Sequence, residues 1–332
     1  MKYVVVRPRG IYVFNERLEK EDFIKVELEE SEIIDILSGK LPERVKKYIK
    51  EDYVFLGQKF EGYNSDFDRD KIRKALDIIS MEEEGIDQSK FYIATKMGIA
   101  KSITRDQLII QIIMLLDDIN KITNLMVERF REIYNLYLPE VSQMIEDHEK
   151  FLKSVIGKRR EDLMKEFKID TTMGGELKDK DVEIINKIGE KILDLYKLRD
   201  TLKDYVEELM NEVCPNLSKV ATPTIGARLI ALAGGLRELA ILPSSTIQVL
   251  GAEKALFKHL TKGTPPPKHG VIFNHPLIQK LPRKQRGAMA RTLASKIAIA
   301  AKVDAFTPGK LVYESLIKEL EERFNELKQE KK

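Results

Sequence analysis

The chain contains two long stretches in which apolar residues recur at alternating intervals of four and three. The repeat starts at Leu108 in the first stretch and at Ile188 in the second. A helix with this spacing presents a narrow apolar seam that another helix must cover, so the pattern predicts coiled-coil packing. Pro139 stops or bends the first helix, and Gly174-Gly175 breaks the connecting segment. Two seams separated by such a turn predict an antiparallel helical hairpin.

We expect the seams to carry dimerisation, although heptads alone do not identify their partner. Pairing within one chain, between two chains, or both therefore stays open. Arg129 and Arg199 each occupy an apolar position of a seam. The favoured interpretation is a long stem that carries the charge outward, and the alternative is a register device paired with an acid on the facing helix. The seam residues singled out are Ile112, Leu115, Ile119, Ile122, Ile192, Leu195, Leu202 and Leu209.

The segments on either side of the hairpin follow other patterns. Two β-branched runs, Tyr3–Val6 and Ile11–Phe14, flank a Pro-Gly turn and predict a strand, a turn and a strand. Further strands are expected near residues 23–28 and 53–56, with short helices between them. The last third is rich in Ala and Gly and predicts a long helix from about Pro282 to Val303. The predicted fold class is mainly α, with a small N-terminal α/β domain (1–105), a long antiparallel coiled-coil hairpin (106–221) and an all-α C-terminal domain (222–332).

Residues 250–302 form a basic island in an otherwise acidic chain. They include eleven Lys and Arg residues and one acid, Glu253, whereas the whole chain has a net charge of only +3. Such a concentration costs self-repulsion, so it indicates an anionic partner, and phosphate is the chemistry that fits. A single solvated helix face is the plain alternative for any one residue, but solvated faces normally mix charges of both signs.

Several island residues suit RNA, because Lys and Arg neutralise phosphates while imidazole and guanidinium groups stack on splayed bases. On a wheel of 100° per residue, Lys284, Arg291 and Lys302 fall within about 20° of one another. His269 in the Lys-His-Gly turn has a second interpretation, a histidine that caps a nearby carbonyl. The candidate RNA-binding residues are Lys254, His259, Lys268, His269, Arg283, Lys284, Arg286, Arg291 and Lys302.

Signatures of catalysis are missing from the sequence. It contains no Gly-rich dinucleotide loop and no phosphate-binding P-loop, and its lone cysteine, Cys214, excludes a disulfide within the chain. His259, His269 and His275 are close in sequence, but the surrounding positive charge disfavours a metal, so none is expected. Neither a signal peptide nor an apolar run long enough for a membrane span is apparent, and we expect a cytoplasmic protein without a membrane partner.

Three blocks of the island resemble the Nop-domain signature. They are Gly251–Phe257, Pro267–Pro276 and Pro282–Arg291, and upstream similarity extends through Ile225–Gly234 and Leu108–Asp118. The chain is most similar to the archaeal scaffold proteins of box C/D guide ribonucleoproteins, which are related to the nucleolar Nop proteins. It lacks the long Lys-rich tail of the nucleolar members.

This resemblance implies a function. The N-terminal domain would dock fibrillarin, the coiled coil would self-associate into a homodimer, and the Nop domain would bind a kink-turn of the box C/D guide RNA that already carries a small ribosomal-type protein. The chain would be a non-catalytic scaffold for RNA-guided 2′-O-methylation, with S-adenosylmethionine belonging to the partner methyltransferase. The alternatives are a spliceosomal-type Nop-domain binder and a protein-only coiled-coil adaptor.

Overall fold

The protein is mainly helical with a small mixed sheet near its start, as the sequence predicts. The computed structural model describes residues 2–83 and 89–329. The chain splits between Thr104 and Arg105 into two compact units. The predicted division of the second unit at residue 221 stays a prediction. In the described part of the chain, no helix combines the length and the apolar composition that a bilayer span requires.

The first unit is a five-stranded sheet with helices on both faces. The strand order is β3-β2-β1-β4-β5, with antiparallel pairing from β3 to β1 and parallel pairing from β1 to β5. Side chains alternate across β1, so Val4 packs with α1 and Tyr3 with α3. The elements are β1 (Lys2–Arg7), β2 (Gly10–Phe14), β3 (Lys20–Lys25), α1 (Glu30–Leu37), α2 (Glu43–Lys46), β4 (Tyr53–Leu56), β5 (Ser65–Asp66), α3 (Arg69–Glu82) and α4 (Ser89–Ser102).

Two strands differ from the prediction. The third strand starts at Lys20, three residues before the predicted Phe23, because its pairing with β2 begins there. Val26 and Leu28 continue the hydrogen bonding beyond the strand by donating to carbonyls of the β1–β2 turn. The two-residue strand β5 carries no apolar run and was not predicted.

The second unit consists of helices among its described residues. A long pair carries the predicted hairpin, and a cluster of shorter helices surrounds a third long helix. The elements are α5 (Arg105–Tyr134), α6 (Pro139–Met144), α7 (His148–Val155), α8 (Arg160–Glu166), α9 (Asp179–Val213), α10 (Pro215–Ala221), α11 (Pro223–Ala233), α12 (Leu236–Ile241), α13 (Ser244–Val249), α14 (Glu253–Lys262), a 3-10 turn (Val271–Asn274), α15 (Pro276–Gln279), α16 (Arg286–Phe306) and α17 (Tyr313–Gln329).

Helices α5 and α9 pack antiparallel within one chain. At the base, Arg105 donates to both carboxylate oxygens of Glu212, at 3.1 and 2.6 Å. Near the other end, a Cβ on Gly189 would stand 3.2 Å from the ring of Phe130. The start of one helix therefore meets the end of the other. Pairing within the chain, one of the options that the heptads left open, is present.

The buried seam of α5 lies one residue away from the predicted one. Of the predicted positions, Ile119 is buried, but Leu115 and Ile122 are 46% and 52% exposed. The reason is that α5 packs against α11 as well as α9, so its buried direction points between two neighbours. In α9, Ile192 and Leu209 are buried, and Leu195 and Leu202 are half-buried. The buried residues of α5 are Ile109, Ile113, Leu116, Ile119, Thr123, Val127, Phe130 and Tyr134.

A second apolar stripe on α5 stays exposed. Its members fall within about 80° of arc on the helix, on a different side from the buried seam. We call it the outer stripe. Its members are Leu115, Ile122, Leu125 and Ile133, and the exposed Leu136 follows in the turn after the helix.

The two arginines of the predicted seam behave differently. Arg129 is exposed and pairs with Glu132 one turn further along its own helix, which agrees with the favoured interpretation. The side chain of Arg199 is only 17% exposed, and it donates to Glu149 of α7 at 3.0 Å. It also pairs with Asp200 of its own helix at 2.8 Å. The favoured interpretation is therefore wrong for Arg199, and its acids lie on α7 and on α9 itself, not on the facing helix.

The base of the hairpin shares one core with the shorter helices. Ile109, Ile113 and Leu116 of α5 pack in the same cluster as Leu229 of α11 and Leu293 of α16. Polar contacts add to this packing, because Asp117 of α5 pairs with Arg228 of α11. The base of the α5–α9 hairpin and the helices around α16 are therefore one packed body.

Candidate nucleic-acid interface

The cations of the basic island lie on α14, on the chain after it, and along α16. Lys296 is tied to Glu319 of α17 by an ion pair that leaves 14% of its side chain exposed. Counting only partners among residues 2–83 and 89–329, no carboxylate lies within 4.0 Å of any other basic nitrogen of the island. Most of these charges are thus free to meet an external anion.

Three island residues form a stacked column. The imidazole of His269 lies 4.4 Å from the ring of Phe273 at an interplanar angle of 21°, and the guanidinium of Arg286 lies 5.4 Å from the centre of the same ring. Arg286 is held in place because its Nε donates to the Leu281 carbonyl at 2.8 Å. Flat groups presented in this way are the surfaces on which unpaired bases stack. We call these three residues the His269 column.

The surroundings of the column favour the neutral form of its histidine. Burial lowers the pKa of His269, and the charges of Arg286 and Lys268 lower it further. The imidazole therefore offers a face and hydrogen-bonding nitrogens, and the neighbouring Lys and Arg residues provide the positive charge.

The three histidines of the region have three separate roles. His259 lies in the last turn of α14, and its Nδ1 donates to the carbonyl of Thr264 just beyond the helix, the kind of contact that the sequence offered for His269. His275 is buried, and its Nδ1 accepts from the Leu277 N–H at the start of α15. Burial lowers the pKa of His275 to about 4.

Only part of the charged face that was expected on the long helix lies on that helix. Helix α16 starts at Arg286 and not at Pro282, so Arg283 and Lys284 lie in the preceding turn, where both are exposed. Lys302 is exposed further along the helix. Arg291 lines a groove of about 470 Å³ that three glutamates of α17 also line. Arg291 therefore sits in a mixed electrostatic environment, unlike the cations of the turn.

Helix α14 has no buried residue. Its basic residues Lys254, Lys258 and Lys262 follow one side. Phe257 and Leu260, which are 67% and 74% exposed, lie on another side. A ten-residue helix that leaves both a basic and an apolar side uncovered offers contacts for phosphate and for an apolar surface.

Two contributors were missed from the sequence. Phe273 stands four residues after His269, a spacing that indicates contact in a helix, but the Lys-His-Gly motif predicts a turn here. Gln248, whose side-chain amide donates to the Lys268 carbonyl, precedes the island and has no charge, and no pattern in the sequence marks it. Lys268, the remaining candidate, is exposed, and its side chain passes 3.4 Å from the position of a Cβ on Gly287.

Comparison with known proteins supplies a family. The family model described as "Nop: snoRNA binding domain, fibrillarin" matches residues 115–326. The chain is 36% identical over 344 residues to a NOP5 family protein of Methanocaldococcus jannaschii, a match that covers 95% of this chain and 80% of that protein.

Eukaryotic relatives match over a smaller share of their own length. The chain is 31% identical over 319 residues to nucleolar protein 58 of Lodderomyces elongisporus, covering 83% of this chain and 61% of that protein. It is 35% identical over 242 residues to human nucleolar protein 56, covering 66% and 41%. A solved chain from a fibrillarin/Nop5p complex aligns with a TM-score of 0.45 at 24% identity, over 81% of this chain and 96% of that chain.

Proposed function

The chain belongs to the Nop family, and from this membership we propose that it is the non-catalytic scaffold of a box C/D ribonucleoprotein that directs RNA-guided 2′-O-methylation. In this function it bridges fibrillarin to a kink-turn RNA–protein complex. The observation that carries the proposal is the combination of unpaired cations with the His269 column on one helical body. Cations hold phosphates, and stacked flat groups hold splayed bases.

We assign the protein partners to different parts of the chain. The description of the family names fibrillarin, and the separately packed N-terminal unit is the part left free to dock it. The small ribosomal-type kink-turn protein would meet the Nop domain beside the RNA. The exposed apolar side of α14 lies next to the basic residues and supports this placement.

Self-association would use the outer stripe of α5. The stripe is apolar and exposed, and the α5–α9 seam within the chain does not use it. A second copy carries the same stripe, so the two would form an isologous contact. The predicted dimerisation seam thus divides into an inner seam that closes the hairpin and an outer stripe that is available to a partner.

The scaffold would bring no cofactor of its own, because S-adenosylmethionine belongs to fibrillarin. A chain of the archaeal type would work in the cytoplasm, since archaeal cells have no nucleus. The division into a docking domain at 1–105, a dimerisation region at 106–221 and an RNP-binding domain at 222–332 follows the same proposal.

Reconstitution tests the proposed function. The full chain is mixed with fibrillarin, the kink-turn protein, a box C/D guide RNA, S-adenosylmethionine and a target RNA, and each component is left out in turn. We expect a discrete particle that methylates the target ribose only when this chain is present. Undiminished methylation without the chain contradicts the scaffold assignment, and methylation by the chain without fibrillarin contradicts its non-catalytic role.

A pair of variants separates specific binding from general charge. Arg283→Ala with Lys284→Ala should weaken assembly, whereas the control Lys150→Ala with Lys165→Ala, two exposed lysines near the hairpin tip, should not. Equal assembly by both variants contradicts the assignment of the island to RNA. Stronger binding to anionic vesicles than to the kink-turn complex would favour the protein-only adaptor.

A further inference from the structure

Two backbone segments lie side by side at the foot of α14. The N–H of Gly270 donates to the carbonyl of Gln248, and the N–H of Val271 donates to the carbonyl of Leu250, both at 2.8 Å. The approach is so close that a Cβ on Gly270 would stand 1.9 Å from the Leu250 oxygen, so only glycine fits there. Residues 251–267, which include α14, leave and return at this one place. We call the paired segments 248–250 and 268–271 the neck.

Gln248 makes two of the contacts across the neck. Besides its carbonyl contact with Gly270, its side-chain Nε2 donates to the carbonyl of Lys268 at 2.7 Å. One residue therefore holds the backbone immediately before and immediately after His269. With both neighbours held, the backbone of His269 is fixed, so its imidazole extends toward Phe273 from a fixed position.

The residue that makes these contacts is itself anchored. Gln248 lies in the last turn of α13, a helix that packs against α16. Its neighbour Ile247 is fully buried in the core of the helical unit. Side chains that stand on rigid elements locate a binding group more accurately than loop residues do. The contacts of Gln248 thus attach the Lys268–Gly270 turn to a helix that is fixed by the core.

We infer that Gln248 is a positioning residue of the RNA-binding surface, which holds His269 against Phe273 so that the column is formed before RNA arrives. The inference rests on the proposed function, because it assigns a role within that surface. Gln248 itself need not touch RNA. A binding group that is ordered in advance loses less conformational freedom on binding, and affinity rises accordingly.

Replacement of Gln248 by methionine tests the inference. Gln248→Met keeps the length of the side chain and adds no charge, but it removes the donor to Lys268. The control is Gln143→Met, at an exposed glutamine of α6. Thermal unfolding of both variants should match the parent, because Gln248 is only half-buried and its backbone bond to Gly270 is retained.

Two readouts follow the column itself. In the RNA-free protein, proton NMR of Gln248→Met should show the His269 ring signals losing the shift that stacking on Phe273 causes, with the His269 pKa moving up toward 6.5 as its burial decreases. In binding assays with the kink-turn complex, affinity should fall about fivefold, the effect of one lost hydrogen bond, with an unchanged dependence on salt.

The outcomes separate this inference from the proposed function. If Gln248→Met gives the parental His269 signals and the parental affinity, the positioning role is wrong, even though Arg283→Ala still weakens binding. If the His269 signals move as expected but the parent itself fails to bind the kink-turn complex, the proposed function fails while the structural effect of Gln248 stands. A fivefold loss that also appears in Gln143→Met would likewise overturn the inference.

Discussion

The side-chain amide of Asn216 donates to a carboxylate oxygen of Asp304 at 2.6 Å, although the two residues stand 88 positions apart. Both are buried. The amide oxygen of Asn216 also accepts from the N–H groups of Val312 and Tyr313, at 2.6 and 3.0 Å. This one asparagine therefore joins the start of α10, the end of α16 and the start of α17. Burial raises the pKa of Asp304, which shows that the carboxylate is held there at some cost.

We predict that Asn216→Ala lowers the free energy of unfolding by about 2–3 kcal/mol, because it leaves several buried polar groups without partners. Urea denaturation measures the change. Asn135→Ala, at an exposed position near the end of α5, is the matched control and should lie within about 0.5 kcal/mol of the parent. Equal stability of the two variants would show that the polar junction contributes nothing.

We predict that losing a charged residue of the RNA surface changes the salt dependence of RNA affinity, whereas losing a stacking residue does not. Arg283→Ala and Lys284→Ala should each reduce the slope of log affinity against log salt by about 1, because each removes one phosphate contact. His269→Ala should weaken binding without changing the slope, since the lowered pKa of His269 leaves it uncharged at pH 7. Fluorescence anisotropy between 50 and 200 mM salt, the range in which phosphate contacts strongly affect affinity, makes the comparison. A slope change for His269→Ala as large as that for Arg283→Ala would mean that the imidazole binds as a cation.

We predict that His275 makes the folded protein less stable in acid. Its pKa is about 4 in the folded state, against about 6.5 when unfolded, so the unfolded chain binds more protons between these values. The contribution of His275 to stability is present above pH 6.5 and is lost as pH falls toward 4, by up to about 1.4 kcal/mol per pH unit. His275→Asn retains a side-chain acceptor at the start of α15 but does not titrate, so its stability should depend less on pH in this range. Urea titrations at several pH values test this, and parallel pH profiles for the two proteins would rule it out.

We predict that Leu125→Lys on the outer stripe converts the proposed dimer to a monomer while the helices stay folded. The charge would be buried without a partner in the contact between two copies, but it is solvated in the monomer. Light scattering measures the mass, and circular dichroism checks the helices. Asn124→Lys, at an exposed position about 100° around the helix from Leu125, should leave the mass unchanged. A Leu125→Lys protein of unaltered mass would place the contact between copies elsewhere.

Periodicity predicts the long helices well but leaves their register ambiguous. Apolar residues stand next to each other at Leu108-Ile109, Ile112-Ile113 and Leu115-Leu116, so two seams one residue apart fit equally well. The contact with α11, more than a hundred positions away, selects the inner seam. A local pattern does not contain that information.

The sequence likewise predicts one part of the candidate site and leaves another part undetermined. The imbalance of charge over residues 250–302 locates the surface, because a long-range charge bias survives any folding detail. The His269 column depends on contacts between Gln248 and the Lys268–Gly270 turn, twenty residues later in the chain. Spacing alone therefore could not separate His259, which bonds to the Thr264 carbonyl, from His269, which stacks on Phe273.

The shared core at the base of α5 fixes the angle between this long helix and the shorter helices around it. A helix of thirty residues is about 45 Å long, so a tilt of about 5° at its foot would move its far end by about 4 Å. Such a tilt would require Ile109, Ile113 and Leu116 to repack inside a dense interior, which resists small displacements. The direction of the α5–α9 hairpin is therefore fixed when the chain folds. A partner that binds at its far end meets the hairpin at a constant angle to the helical unit.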